Sequence, residues 1–266
     1  MKYFCAFFLV FFASNASFSA ELGGLNGMVP TGIDLNKEGN LMVVVGYGEN
    51  ACDGKTDGIT VYQSGLITHE VVAQHCGLYK RESAEAITII REKPLRVMVS
   101  AEGYGWVYYC DFDLENKTSE CKKSYHRAFK HGELREISGM DISKDGLLFA
   151  VGDNASKIYQ LSEGCLRQET CRIEDRIYLP KYLSQAEDLD INRCPRSEDE
   201  CIYIADIGKG GSGTIYYHNL VTDEWFRKKI SIKKDAESFT TFDTGGNVYG
   251  ILIYKDREGT ARAFKM

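Results

Sequence analysis

The sequence predicts an all-β fold: a single β-propeller of about five four-stranded blades, with six as the alternative count. Three observations predict it. One motif recurs along the chain at near-constant spacing. Each copy contains several short β-rich runs separated by turn residues. The chain is also long for an ordinary domain but normal for one large all-β domain.

The repeat consists of an apolar anchor flanked by small or acidic residues, a polar turn, a β-rich run, a Gly-rich loop and an aromatic-rich strand. Its anchors are Ile33, Ile87, Met140, Leu189 and Phe239, spaced 54, 53, 49 and 50 residues apart. Periods near 40–50 residues with four strands per unit mark propellers. Each unit divides into strands A to D, counted outward from the channel. Strand B is the clearest: Leu41 to Val45, Leu95 to Val99, Leu147 to Val151, Cys201 to Ala205 and Val248 to Ile253. These runs are short and rich in β-branched and aromatic residues, as buried strands are. The turns before them carry Gly or Asn, which tolerate positive φ.

The fifth unit ends after strand C. Its outer strand is expected from the N-terminal segment around Leu22 to Val29, which would close the ring and remove a free edge.

The first residues read as a signal peptide. Lys2 is followed by an apolar run from Tyr3 to Phe12, too short to span a bilayer as a helix. Ser17-Phe18-Ser19 suits a cut before Ala20, and Ser14-Asn15-Ala16 is the other candidate. The expected division is residues 1–19 as signal peptide and 20–266 as propeller. The expected location is the periplasm or the exterior.

Removing that peptide leaves eight cysteines: Cys52, Cys76, Cys110, Cys121, Cys165, Cys171, Cys194 and Cys201. An even number in an exported chain suggests disulfides. In a propeller the D–A and B–C connections share one face, and the A–B and C–D connections share the other. Pairing each cysteine with its nearest neighbour satisfies that geometry every time. The predicted bonds are Cys52–Cys76, Cys110–Cys121, Cys165–Cys171 and Cys194–Cys201.

Two residues before the anchors stand Thr31, Glu85, Ser138, Glu187 and Glu237, where the D–A loop enters the innermost strand at the channel mouth. Asp188 adjoins Glu187. Glu102, Asp153 and Asp206 follow B strands on the same face. At about 6 Å and an effective dielectric near 20, each like-charge pair costs roughly 3 kcal/mol. A bound cation would offset that, and an oxygen-only set suits Ca2+ or Mg2+. The metal candidates are Glu85, Glu187, Asp188, Asp206 and Glu237, with Ca2+ the expected ion. Glu102, Asp153, Asn154 and His75 are further binding candidates. Asp34, Asp141 and Asp190, one residue after their anchors, are read as acids that hold the blade turns.

Net charge is −6, which argues against non-specific nucleic-acid binding. No G-x-S-x-G, H-E-x-x-H or P-loop motif occurs. The segment from Ile207 to Gly213 lies between two strands and reads as a flexible loop, not a phosphate cradle.

The fourth unit reads Glu187-Asp188-Leu189-Asp190, then Cys194-Pro195 to Cys201, then Tyr203-Ile204-Ala205-Asp206-Ile207-Gly208 and Thr214-Ile215-Tyr216. It resembles a group of exported bacterial propeller-like proteins. In that group a Trp-Glu-Asp-(Ile/Met)-Ala strand precedes Tyr-(Ile/Val)-Gly-Asp-Ile-Gly-Asp-Asn and an Ile-Tyr strand. Here Ala186 stands for the Trp, and Lys209-Gly210 for the Asp-Asn. If the motif acids bind an ion in that group, the resemblance implies Glu187, Asp188 and Asp206 for the same role here. A more distant similarity is to the gluconolactonase and paraoxonase propellers, which have six blades and hold channel Ca2+ with Glu, Asn and Asp. Asn154, after Gly152-Asp153, is the residue that carries it.

Two functions follow as expectations. One is a non-catalytic binding module with a cation at the channel mouth. Its partner would be a protein, a glycan or an envelope component, with no nucleic acid, no transmembrane anchor and a monomeric state. The other is a Ca2+-dependent hydrolase of lactones or phosphoesters, with His75, read as lying in a D–A connection of the acidic face, as the candidate base. Its remaining catalytic residues are unknown.

Overall fold

The computed structural model describes residues 18–21, 29–47, 57–63, 70–78, 84–101, 105–130, 132–181, 183, 185–207, 211–232, 236–254 and 260–266. Within them lie five four-stranded antiparallel sheets arranged as a five-bladed propeller. The first strand, β1 (Phe18–Glu21), belongs to the last blade. Blade one is β2 (Val29–Leu35), β3 (Leu41–Tyr47), β4 (Gly58–Gln63) and β5 (Glu70–Cys76). Blade two is β6 (Ala84–Glu92), β7 (Leu95–Ala101), β8 (Trp106–Asp113) and β9 (Thr118–Tyr125). Blade three is β10 (Ile137–Ile142), β11 (Leu148–Gly152), β12 (Lys157–Leu161) and β13 (Ile173–Tyr178). Blade four is β14 (Asp188–Arg193), β15 (Glu200–Asp206), β16 (Gly211–Asn219) and β17 (Glu224–Ile232). Blade five is β18 (Ala236–Thr244), β19 (Asn247–Tyr254), β20 (Thr260–Lys265) and β1.

The ring closes through the N-terminal strand, as expected, but through earlier residues. β1 pairs antiparallel with β20, from Phe18 opposite Ala263 to Glu21 opposite Thr260. The stretch predicted to close the ring contains Gly23, Gly24 and Gly27, a composition poor for a strand, and its last residue, Val29, opens β2. The cut predicted before Ala20 falls inside β1.

Five hydrophobic clusters fill the seams between neighbouring blades. Val43, Val45 and Ile59 of blade one meet Val97 and Val99 of blade two. Ile251 and Ile253 of blade five meet Ile33 and Val44 of blade one, so the seam at the closure is as apolar as the others. The B strands are buried on both faces, which explains their continuous apolar runs. The A–B turns use Gly39, Gly146, Gly245 and Gly246 at φ between +58° and +79°.

Three predicted disulfides are present. Cys110–Cys121 staples facing positions of β8 and β9. Cys165–Cys171 braces the connection that holds the one-turn helix α1 (Gly164–Arg167). Cys194–Cys201 closes the A–B hairpin of blade four. Cys76 is disulfide-bonded as well, and its predicted partner, Cys52, lies outside the described residues. Each short loop closed in this way contributes on the order of 2–3 kcal/mol in the chain-entropy account.

A buried polar contact ties blade two to blade three. The Tyr109 hydroxyl donates to the Cys165 carbonyl and accepts from His126 Nε2–H at 2.8 Å. Both side chains are almost fully buried. Burial holds the His126 imidazole below its ordinary pKa, so the neutral ring acts as donor. Tyr109→Phe leaves two buried groups without this partner and is expected to cost about 1–3 kcal/mol in urea unfolding. A cost below a few tenths would show the contact to be idle.

Candidate functional site: the acid-lined channel

The innermost strands β2, β6, β10, β14 and β18 line the central channel. In four of them the ladder shifts register at the residue two before the anchor, at Thr31, Glu85, Ser138 and Glu237. Such a bulge re-aims the side chain it carries. Glu187, in blade four, lies just before β14, with its N–H on the Ala205 carbonyl. The two hydroxyls of this set lock blades together: Thr31 donates to Ala84 O and Ser138 to Ala186 O, each in the next blade. The three glutamates line one cavity of about 250 Å³ together with Asp153, Gln185 and Ser138. Asp153 accepts from Gln185 Nε2 at 3.2 Å. Burial raises its pKa, and repulsion from Glu136 and Glu237 adds to the rise.

Three residues further along each strand, about 10 Å by strand rise, lies a second ring. It is made of Asp34, Thr88, Asp141, Asp190 and Thr240, each one residue after its anchor. The three aspartates are 4–9% exposed. They clasp the neighbouring blade by one recurring bond. Asp34 accepts from Ile89 N–H at 2.6 Å, Asp141 from Ile191 N–H at 2.7 Å, and Asp190 from the Thr241 N–H. In each case the donor stands two residues after the next blade's anchor. The threonines extend the ring, with Thr88 Oγ1 donating to Asp141 at 3.1 Å and Thr240 Oγ1 to Asp190 at 2.9 Å.

One oxygen from each of Asp34, Asp141 and Asp190 lies within 4.8 Å of the others. Burial raises all three carboxyls, Asp190 to about 6. Mutual repulsion adds to the rise at Asp34 and Asp141, while hydrogen bonds from the next blade pull all three back. The three line a cavity of about 340 Å³ at the A–B turn face, opposite the glutamate mouth. Three oxygens this close have a common centre no more than about 2.8 Å from each, near the roughly 2.3–2.6 Å of a Ca2+–oxygen contact. This triad could hold a metal ion. These acids, read from sequence as turn holders, bridge blades and face one another. The signal was available: the residue after the anchor runs Asp, Thr, Asp, Asp, Thr, in register across all five repeats.

The other predicted residues disperse. Asp188 sits in the seam between blades four and five, where it accepts from Ser238 Oγ at 2.8 Å and Phe239 N–H at 3.0 Å. Burial raises its pKa well above the usual range. Asp206 ends β15 opposite Thr214 and is not among the residues lining the glutamate cavity. Asn154 donates to Glu136 at 3.2 Å on the surface. Glu102 lies outside the described residues. His75 corrects the sequence reading. It was expected in a D–A connection at the mouth, but β5 runs on to Cys76 and carries it on the outermost strand of blade one. There its Nδ1 bonds Ser119 Oγ at 2.9 Å, on the outermost strand of blade two.

No protein-family model and no curated protein sequence matches the chain. Solved structures resemble it in fold. A virginiamycin B lyase from Staphylococcus aureus superposes with a TM-score of 0.50 at 9% identity, over 94% of this chain and 99% of the lyase. The tail fibre of Staphylococcus aureus phage P68 gives 0.56 at 11% identity, over 94% of this chain. The chain spans about half of that fibre, 52% of its length. At these identities the likeness shows a propeller and nothing of activity.

Proposed function

We propose that the protein is an exported, non-catalytic binding module that holds a hard divalent cation, Ca2+ by its oxygen ligands, in the central channel. The observation that carries this reading is the convergence of Asp34, Asp141 and Asp190 from three blades. A cation there would offset their repulsion and tie those blades together, so the ion would serve rigidity and not turnover. Disulfides support an oxidising compartment, periplasmic or extracellular. Among the described residues no helix is long and apolar enough to cross a membrane. The hydrolase alternative loses its candidate base, because His75 stands at the outer rim.

The glutamate mouth is the second place for the ion, favoured by four carboxylates on one small cavity. Calorimetry separates the two. Chelator-treated protein is expected to bind Ca2+, and Asp34→Asn with Asp141→Asn to weaken binding at least tenfold. Glu85→Gln with Glu237→Gln is expected to change it less than threefold. The opposite ranking would move the ion to the mouth. An absence of heat and of thermal stabilisation at millimolar Ca2+ and Mg2+ would remove both.

A further inference from the structure

A second kind of cavity lies away from the channel axis, on blade two. It is a groove of about 720 Å³ between the A–B and C–D turns of that blade. The volume is within the roughly 300–1,000 Å³ of ligand sites. Its floor is apolar: Leu95 and Phe112 form the buried base and Leu114 a partly exposed wall. Its rim is acidic. Glu92, Asp113, Glu115 and Glu120 are all exposed, and Lys93 is the one basic residue of the lining. Asp111, also in the lining, is engaged by Arg91 at 3.4 Å and Arg96 at 3.7 Å. Asp113 is held below the usual carboxylate range by the Asn116 and Glu115 N–H groups and the Asn116 side chain, so it carries charge. The groove opens beside β9, whose first residues, Thr118 to Glu120, line it. Among the described residues β9 is the outer strand of its sheet and pairs with no further strand there.

We propose that this groove binds an extended segment of a protein partner in which arginine or lysine alternates with apolar side chains. The acidic rim selects the basic residues, and the apolar floor takes the side chains between them. The strand edge offers main-chain hydrogen bonds to an extended chain, which favours a peptide over a compact ligand. Alternation matches this geometry, since successive side chains of a strand point to opposite sides. The proposal does not depend on the cation reading, because the groove and the aspartate triad share none of these residues except Glu92 at their common border.

The test is fluorescence anisotropy with a labelled pentapeptide alternating arginine and leucine, on the full exported chain. Saturable binding is expected, weakened at least tenfold in Glu115→Lys with Glu120→Lys. A matched reversal outside the groove, on the outer strands of blades three and four, Glu174→Lys with Glu224→Lys, is expected to change affinity less than twofold. All four positions are exposed, so circular dichroism should be unchanged. Peptides with glutamate for arginine, or serine for leucine, are expected to bind at least tenfold more weakly. Equal loss in both double variants would show diffuse charge attraction only and overturn the proposal. So would equal binding of either control peptide, or no binding at millimolar concentration.

Discussion

Gly139→Ala is expected to destabilise the propeller by at least about 3 kcal/mol, read as a fall in the urea midpoint with little change in slope. A five-bladed ring brings its innermost strands close together, and the glycines before the first and third anchors, Gly32 and Gly139, abut the next blade there. A Cβ added at Gly139 would sit 2.1 Å from Leu189 N and 2.7 Å from the Asp188 carbonyl carbon. Both are backbone atoms of β14, so no side-chain rotation relieves the clash. β10 must then move from β14, and the Asp141–Ile191 bond and the Ser138–Ala186 bond stretch with it. Overpacking alone costs about 1–3 kcal/mol, and those two strained buried bonds add to it. Gly146→Ala provides the contrast. Its φ is +79° with nothing within 4 Å of the added Cβ, so only backbone strain of about 1–2 kcal/mol is expected. If Gly139→Ala cost no more than Gly146→Ala, the close-packed ring described above would be wrong.

The strands were legible because their signal is local. A buried B strand is a short β-branched run, and the runs from Leu41 and from Leu95 begin in the structure where composition begins them. The disulfides were legible because strand direction assigns each cysteine to a face. The channel was less legible, since it depends on how register converts into direction. The bulges at Glu85 and Glu237 bring these residues with Glu187 to one cavity, but a bulge leaves no mark in a single sequence. Asp188 and Asp190 look alike in sequence, two acids flanking Leu189. They differ because Asp188 meets Ser238 in the seam, whereas Asp190 meets Asp34 and Asp141 across the channel. That distinction is made by the neighbouring blades, some 50 residues and more away, and not by the segment itself. His75 was misplaced for a simpler reason: an outer strand is half exposed, so its end lacks an apolar boundary.

The N-terminal strand carries the other large expectation. A chain begun at Leu22 is expected to lose on the order of 2–6 kcal/mol relative to one begun at Ser17, and to associate at high concentration. Without β1, blade five keeps three strands and β20 becomes a bare edge. Four register pairs disappear, and their hydrogen bonds are worth about 0.5–1.5 kcal/mol each. An exposed β20 edge is also a template for pairing with another chain. If the N-terminal segment is removed as a signal peptide, the same strand constrains the cut. A cut before Ala20 would leave two of the four residues of β1, whereas a cut after Ala16 retains all four. On the proposal that the chain is exported, N-terminal sequencing of the mature protein is therefore expected to begin at Ser17. A mature chain that begins at Ala20 or later with undiminished stability would mean that blade five stands without its fourth strand. In that case the seam of Ile251, Ile253, Ile33 and Val44 would hold the ring shut without help from the ladder.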